Sequence, residues 1–196
     1  MLPNMEETTP DARFRRVALE LILAAARIAA IGFVAIGISG IIAWGLGSAA
    51  GKAFVAGDPL GVTYSAARCR EFLEYAPHAR SCAEAATAHH FGEVVWYRVA
   101  AGLVGCMILP ALVWIGRRRE PRQLQPESVV PSVAAAVFGI AGIWLVGQGI
   151  DSVILKTDGG GGAYLSGGVV ALAVAAWFAI PILRSLTLRV PPTTAA

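Results

Sequence analysis

"IAAIGFVAIGISGIIAWGLGSAAG", residues 28–51, holds no charged side chain between Arg27 and Lys52. A helix rises 1.5 Å per residue and the hydrocarbon core of a bilayer is about 30 Å thick, so roughly 20 apolar residues cross it. This run is long enough to do so. It follows a basic patch, "RFRR", and ends near small residues, "GSAAGKA", as secretory signal peptides do. Its length far exceeds the roughly 7–15 residues of a signal-peptide core. An uncleaved spanning helix is therefore expected.

Three further stretches repeat the pattern. "VVWYRVAAGLVGCMILPALVWIG", 94–116, is broken only by Arg98, and "VVPSVAAAVFGIAGIWLVGQGI", 129–150, is uncharged. "GGVVALAVAAWFAIPIL", 167–183, is shorter, and its span is expected to begin near residue 165. The composition agrees: of 196 residues, 56% are hydrophobic and only 15% charged, against about 25% charged in soluble domains. The predicted fold is an all-α polytopic integral membrane protein with four transmembrane helices. One domain, 17–183, carries spans at about 28–51, 94–116, 129–150 and 165–183. Tails 1–16 and 184–196 flank it, and 52–93 forms the first outer loop.

Orientation follows the basic residues. Arg13, Arg15 and Arg16 precede the first span. Arg117, Arg118, Arg119 and Arg122 lie between the second and third, and Arg184 and Arg189 follow the fourth. Both termini are expected in the cytoplasm, with 52–93 and 151–166 extracytoplasmic. The net charge of +3 is accounted for by this asymmetry, so no nucleic-acid partner is expected. The bilayer itself is the expected partner, with other membrane subunits or self-association beside it. Arg16, Glu20 and Arg27 share one face of the helix entering the first span, which suits snorkelling at the interface.

Small residues let helices approach closely in lipid. Ala35, Ser39, Ala43 and Gly47 recur every four residues in the first span, and Gly167, Ala171, Ala175 and Ala179 do so in the fourth. Ala101 with Gly105, and Ala135 with Gly139, mark the other two. Pro110, Pro131 and Pro181 are expected to bend or end their helices. Trp44, Trp96, Tyr97, Trp114, Trp144 and Tyr164 suit aromatic belts at the membrane surfaces.

The first outer loop reads as partly helical. "YSAARCREFLEYA", 64–76, suits a short helix ended by Pro77, whose Phe72, Leu73 and Tyr75 can rest on the bundle or on the lipid surface. "SCAE", 81–84, is a capping-box signature, and the helix it starts should run on towards the second span, with Gly92 as a bend. Cys69 and Cys82 flank the Pro77 turn, and an extracytoplasmic loop permits a disulfide between them. Cys106 lies deep in the second span as a small packing residue.

His89, His90 and Glu93 are the one constellation with chemical capacity, because two imidazoles and a carboxylate can bind a divalent metal or pass protons. Adjacent histidines diverge by about 100° on a helix, so both are not expected to face one ion. Arg98 is expected to snorkel outward, to Glu93 or a lipid phosphate. "DGGGG", 158–162, reads as a flexible turn. The central parts of the spans hold no Asp, Glu, Lys, Arg or His, which weighs against an autonomous pump or secondary transporter.

The expected role is thus a non-enzymatic structural, accessory or interaction subunit of a membrane complex, docking through its outer loop, with no cofactor. The alternatives are an outer-face enzyme, metal-, quinone- or lipid-linked, at His89, His90 and Glu93, or a small oligomeric channel or transporter. Claudin-like proteins share the span count and a two-cysteine first outer loop. Their W-GLW signature is missing here, with only "GVTY" near that place, and no residue role carries over.

Overall fold

The computed structural model describes residues 10–57, 63–117, 129–155 and 160–187. Among these described residues six helices follow in order: α1 (Pro10–Ala50), α2 (Lys52–Ala56), α3 (Ala66–Tyr75), α4 (Cys82–Arg117), α5 (Val129–Leu155) and α6 (Gly161–Thr187). Among the described residues there is no strand. Four of the helices, α1, α4, α5 and α6, are long and apolar enough to cross a membrane. Large apolar side chains such as Ile22, Met107, Ile140 and Trp177 stand exposed around them. A water-soluble bundle would bury such a surface, whereas a lipid-facing one displays it.

The helices pack as two antiparallel pairs, α1 with α4 and α5 with α6, joined through α1 and α6. Glycines set the closest approaches. A Cβ added to Gly102 of α4 would lie 2.5 Å from Cα of Gly37 on α1, and one added to Gly105 would lie 2.7 Å from the Val34 amide nitrogen. In the second pair, a Cβ on Gly142 would meet Leu172 at 2.8 Å and one on Gly168 would meet Val146 at 2.6 Å. The backbones touch where side chains are absent, which is how helices adhere when the hydrophobic effect between them is missing.

The register of α1 against α4 brings Trp44 level with Trp96 and Tyr97, all three exposed. Along α4, Trp96 and Trp114 are about 27 Å apart at 1.5 Å per residue, close to the hydrocarbon thickness. Both rings face outward, as interfacial belts do. From Trp96 back to Cys82, α4 continues as an unbroken helix for roughly 20 Å beyond the belt. That extension, with α2 and α3, forms a cap at one end of the bundle.

Gly51 ends α1 in the left-handed region (φ 96°), and Gly57 does the same after α2 (φ 84°). Only glycine adopts such angles without strain, so the chain turns sharply twice and lays α2 against α1, α4 and α6. Val55 of α2 is fully buried there with Ala43, Phe91, Val95 and Ala163. Nothing in the sequence marks α2 as a helix, since five residues give too short a window for a helical period to register.

The cap is ordered by sequence signals that act locally. Ser65 caps α3, accepting from the Arg68 amide. The Ser81 hydroxyl accepts from the Glu84 amide at 3.1 Å, while the Glu84 carboxylate accepts from the Arg80 amide at 2.7 Å, one residue ahead of the reciprocal contact a capping box makes. A disulfide joins Cys69 of α3 to Cys82 of α4, with Cα atoms 5.4 Å apart. Phe72 is buried against Ala85 and Ala86. Leu73 and Tyr75 stand exposed, and α3 makes its main contacts with α4.

Several sequence expectations change. Gly92 does not break the helix: α4 is continuous through it, and the missing side chain makes room for the Tyr75 hydroxyl. Of the two outcomes expected at the prolines, ending the helix does not occur at Pro110 or Pro181, since α4 and α6 continue past them, and Pro131 sits in the first turn of α5 where proline is tolerated. The end of the glycine run is not a loose turn, since Gly161 and Gly162 open α6 and pack on Val153 and Phe54. Residues 158 and 159 lie outside the described residues. So do Arg118, Arg119, Arg122, Lys156, Arg189, residues 1–9 and 188–196, on which part of the orientation reading rests.

Candidate functional site

Three features at the cap end carry chemistry. The first is the histidine cluster on the protruding part of α4. His90 Nδ1 lies 3.1 Å from Glu93 Oε2, and His89 Nδ1 lies 3.7 Å from the same oxygen. The expectation that the two imidazoles diverge does not hold: ligand atoms of His89, His90 and Glu93 all lie within 4.8 Å of one another on an unbroken helix. The 100° separation concerns the Cα–Cβ directions. Rotation about two side-chain bonds brings both rings round to the carboxylate at the position four or three residues on.

Aromatic rings of α3 hold the imidazoles there. His89 packs on Phe72 and Tyr75, at 5.1 and 5.0 Å between ring centroids, and His90 packs on Phe72 at 5.8 Å. His78 stands apart from the cluster, on the wall of a separate cavity. Glu93 is half-exposed, and so is His90, whereas His89 retains 19% exposure.

The second feature is Arg98. It does not turn outward to Glu93 or to lipid. Its Nη1 donates to the Ala163 carbonyl at 3.0 Å and the Ser166 hydroxyl at 3.1 Å, with Ser39 Oγ at 3.4 Å. Ser39 and Ser166 are buried, and each hydroxyl donates to its own helix, to Ile36 and Ala163 respectively. One guanidinium therefore joins α1, α4 and α6 just inside the aromatic belt. A polar contact of this kind in an apolar medium is held because its groups have no water to turn to. The sequence offered a partial signal, an arginine within a span and a serine on each of two others. What it withheld was the packing that brings Ser166 alongside.

The third feature is a cavity of about 1060 Å³ between the cap and the α1–α4 pair. Lys52, His78 and Glu84 stand on its polar walls, and Ile41, Trp44 and Val99 line its apolar part. It thus passes the level of the aromatic belt, apolar on one side and polar on the other. Beside it, a smaller cavity of about 360 Å³ is lined by Tyr75, His89, Glu93 and Trp96.

The small-residue stripes lie between helices of the same chain. Ala35, Ser39 and Ala43 are buried, and Gly47 faces the Phe91 ring. Ala171 and Ala175 are buried, Gly167 approaches Leu145, and Ala179 is half-buried. Glu20 is exposed and Arg27 half-buried, while the Arg16 side chain lies outside the described residues.

Fold and site together define a multi-pass, all-helical membrane protein whose first interhelical segment is a disulfide-stapled helical cap. No protein-family model, curated protein or solved structure matches the chain.

Proposed function

We propose that the protein is a non-enzymatic accessory subunit of a membrane complex, anchored by its four spans and docking through the cap, residues 52–93, on the extracytoplasmic side. The observation that carries this reading is the cavity beside the cap, held in a frame that is ordered before any partner arrives. A disulfide, two helix caps and the buried Phe72 fix that frame. Preordered surfaces lose less entropy on binding.

The occupant that fits is a membrane-anchored protein. The cavity crosses the belt level from apolar Ile41 and Val99 to polar Lys52 and Glu84, so its counterpart is an apolar segment continued by a polar one. The side of the membrane rests on charge: in sequence, the arginines at 13, 15 and 16 precede α1's apolar run and those at 117–119 and 122 follow α4's. An oxidising compartment also suits the Cys69–Cys82 bond.

The test is a photo-crosslinking residue at exposed Ala53 on the cavity wall, activated in native membranes. One protein species should be captured, and an Ala83→Trp substitution, which fills the mouth from an exposed position on α4, should abolish the capture. Lipid adducts alone, or capture indifferent to Ala83→Trp, would sink the reading.

A further inference from the structure

We propose that His89, His90 and Glu93 form a binding site for one divalent transition-metal cation of the zinc, copper, nickel and cobalt class. The spacing of the donors comes first. Metal–nitrogen and metal–oxygen bonds of about 2.0–2.1 Å in tetrahedral geometry place neighbouring ligand atoms roughly 3.4 Å apart. The two separations from Glu93 Oε2, 3.1 Å to His90 Nδ1 and 3.7 Å to His89 Nδ1, fall on either side of that value. All three donors lie within 4.8 Å of one another, so small side-chain rotations bring them around one ion.

An independent observation concerns His89. Its Nδ1 atom is shut off from solvent and has no hydrogen-bond partner, since 3.7 Å to Glu93 is too long for one. A buried polar atom left unpaired is costly and uncommon. A metal ion supplies the partner that the protein does not, because it takes the nitrogen lone pair directly.

The frame around the donors is built. His89 is wedged between Phe72 and Tyr75, and His90 stands against Phe72. The α3 helix that presents those rings is tied to α4 by the Cys69–Cys82 bond. Rings held this way lose little freedom when they bind an ion.

The donor set selects the class of cation. Two imidazole nitrogens and one carboxylate oxygen suit borderline cations of the zinc and copper type, whereas calcium and magnesium require oxygen-rich shells. Three protein donors leave a fourth position open, beside the smaller cavity that His89 and Glu93 line.

The experiment uses the full chain in lipid nanodiscs, stripped with a chelator and titrated with Co²⁺ and Cu²⁺ in turn. One ion per chain is expected, with tetrahedral Co²⁺ absorption and a two-nitrogen Cu²⁺ resonance pattern, unaffected by excess Ca²⁺ or Mg²⁺. Removing a metal's supporting group typically weakens binding about 10–100-fold, so His90→Ala and Glu93→Gln should each weaken it by at least about tenfold. Both side chains are well exposed, which keeps the variants foldable, and the intact disulfide verifies the cap. His78→Ala should bind as the wild type does. Absence of stoichiometric binding in the wild type, or equal binding by His90→Ala and Glu93→Gln, overturns the proposal.

Discussion

Replacing Gly102 by alanine puts the close packing of α1 on α4 to its sharpest test. The new Cβ would stand 2.5 Å from Cα of Gly37, whereas carbon atoms settle at about 3.5–4.0 Å. The α1–α4 pair must therefore part by about 1 Å or more at its closest point. Gly105 and Gly40 sit beside that point, with hypothetical Cβ contacts of 2.7 Å, so the separation spreads along the pair. Overpacking of this kind costs about 1–3 kcal/mol. An internal control lies on α1: Gly45 has nothing within 4 Å of its missing Cβ. Alanine there should be neutral, or stabilise by up to about 1 kcal/mol from helix propensity. The assay is reversible unfolding in mixed micelles or by steric trapping, with both variants beside the wild type. Equal stability of Gly102→Ala and Gly45→Ala would show that α1 and α4 do not meet at Gly37 and Gly102.

The cap and the buried arginine give further tests. Cys69→Ser with Cys82→Ser opens the cross-link between residues 13 apart in sequence, worth about 3 kcal/mol in the chain-entropy model; amide exchange should quicken across α3 while the spanning helices stay protected. Phe72→Ala should destabilise the same region by about 3–5 kcal/mol, since the ring is fully buried, and should be read by limited proteolysis between residues 57 and 81. Arg98→Met should cost about 1–2 kcal/mol, below the sum expected for charged hydrogen bonds, because Ser39 and Ser166 keep their own helix acceptors and a desolvated charge is removed as well. The loss should appear as faster exchange at the start of α6, and Ser39→Ala, whose contact is the longest at 3.4 Å, should cost less than Arg98→Met.

The spanning helices were legible because lipid imposes one strong requirement, a long uncharged run, that any reader of the chain can find. The cysteine pair was legible for a similar reason. A proline turn between two helices leaves few ways to place Cys69 and Cys82. Features that depend on which face meets which neighbour were harder to see. Ala35, Ser39, Ala43 and Gly47 do line a buried stripe, yet the closest helix contact falls on Gly37 and Gly102, which a search at spacing four from Ala35 passes over. Arg98 lies two residues past Trp96, where snorkelling outward is the ordinary outcome; only the arrival of α6, with the Ala163 carbonyl and Ser166, turns it inward. The histidines illustrate a different limit. Helical geometry fixes where Cβ points, but not where an imidazole nitrogen ends.

On the proposed function, the cap docks a membrane-anchored partner. The most direct measurement of that docking is quantitative affinity purification of the intact chain in mild detergent, comparing the wild type with Ala83→Trp at the cavity mouth and with Ile140→Ala on the lipid-facing surface of α5. One partner protein should accompany the wild type and Ile140→Ala at a fixed ratio, and should be lost from Ala83→Trp while the Cys69–Cys82 bond stays intact. A wild-type chain that purifies alone, or a partner retained equally by all three, would contradict it.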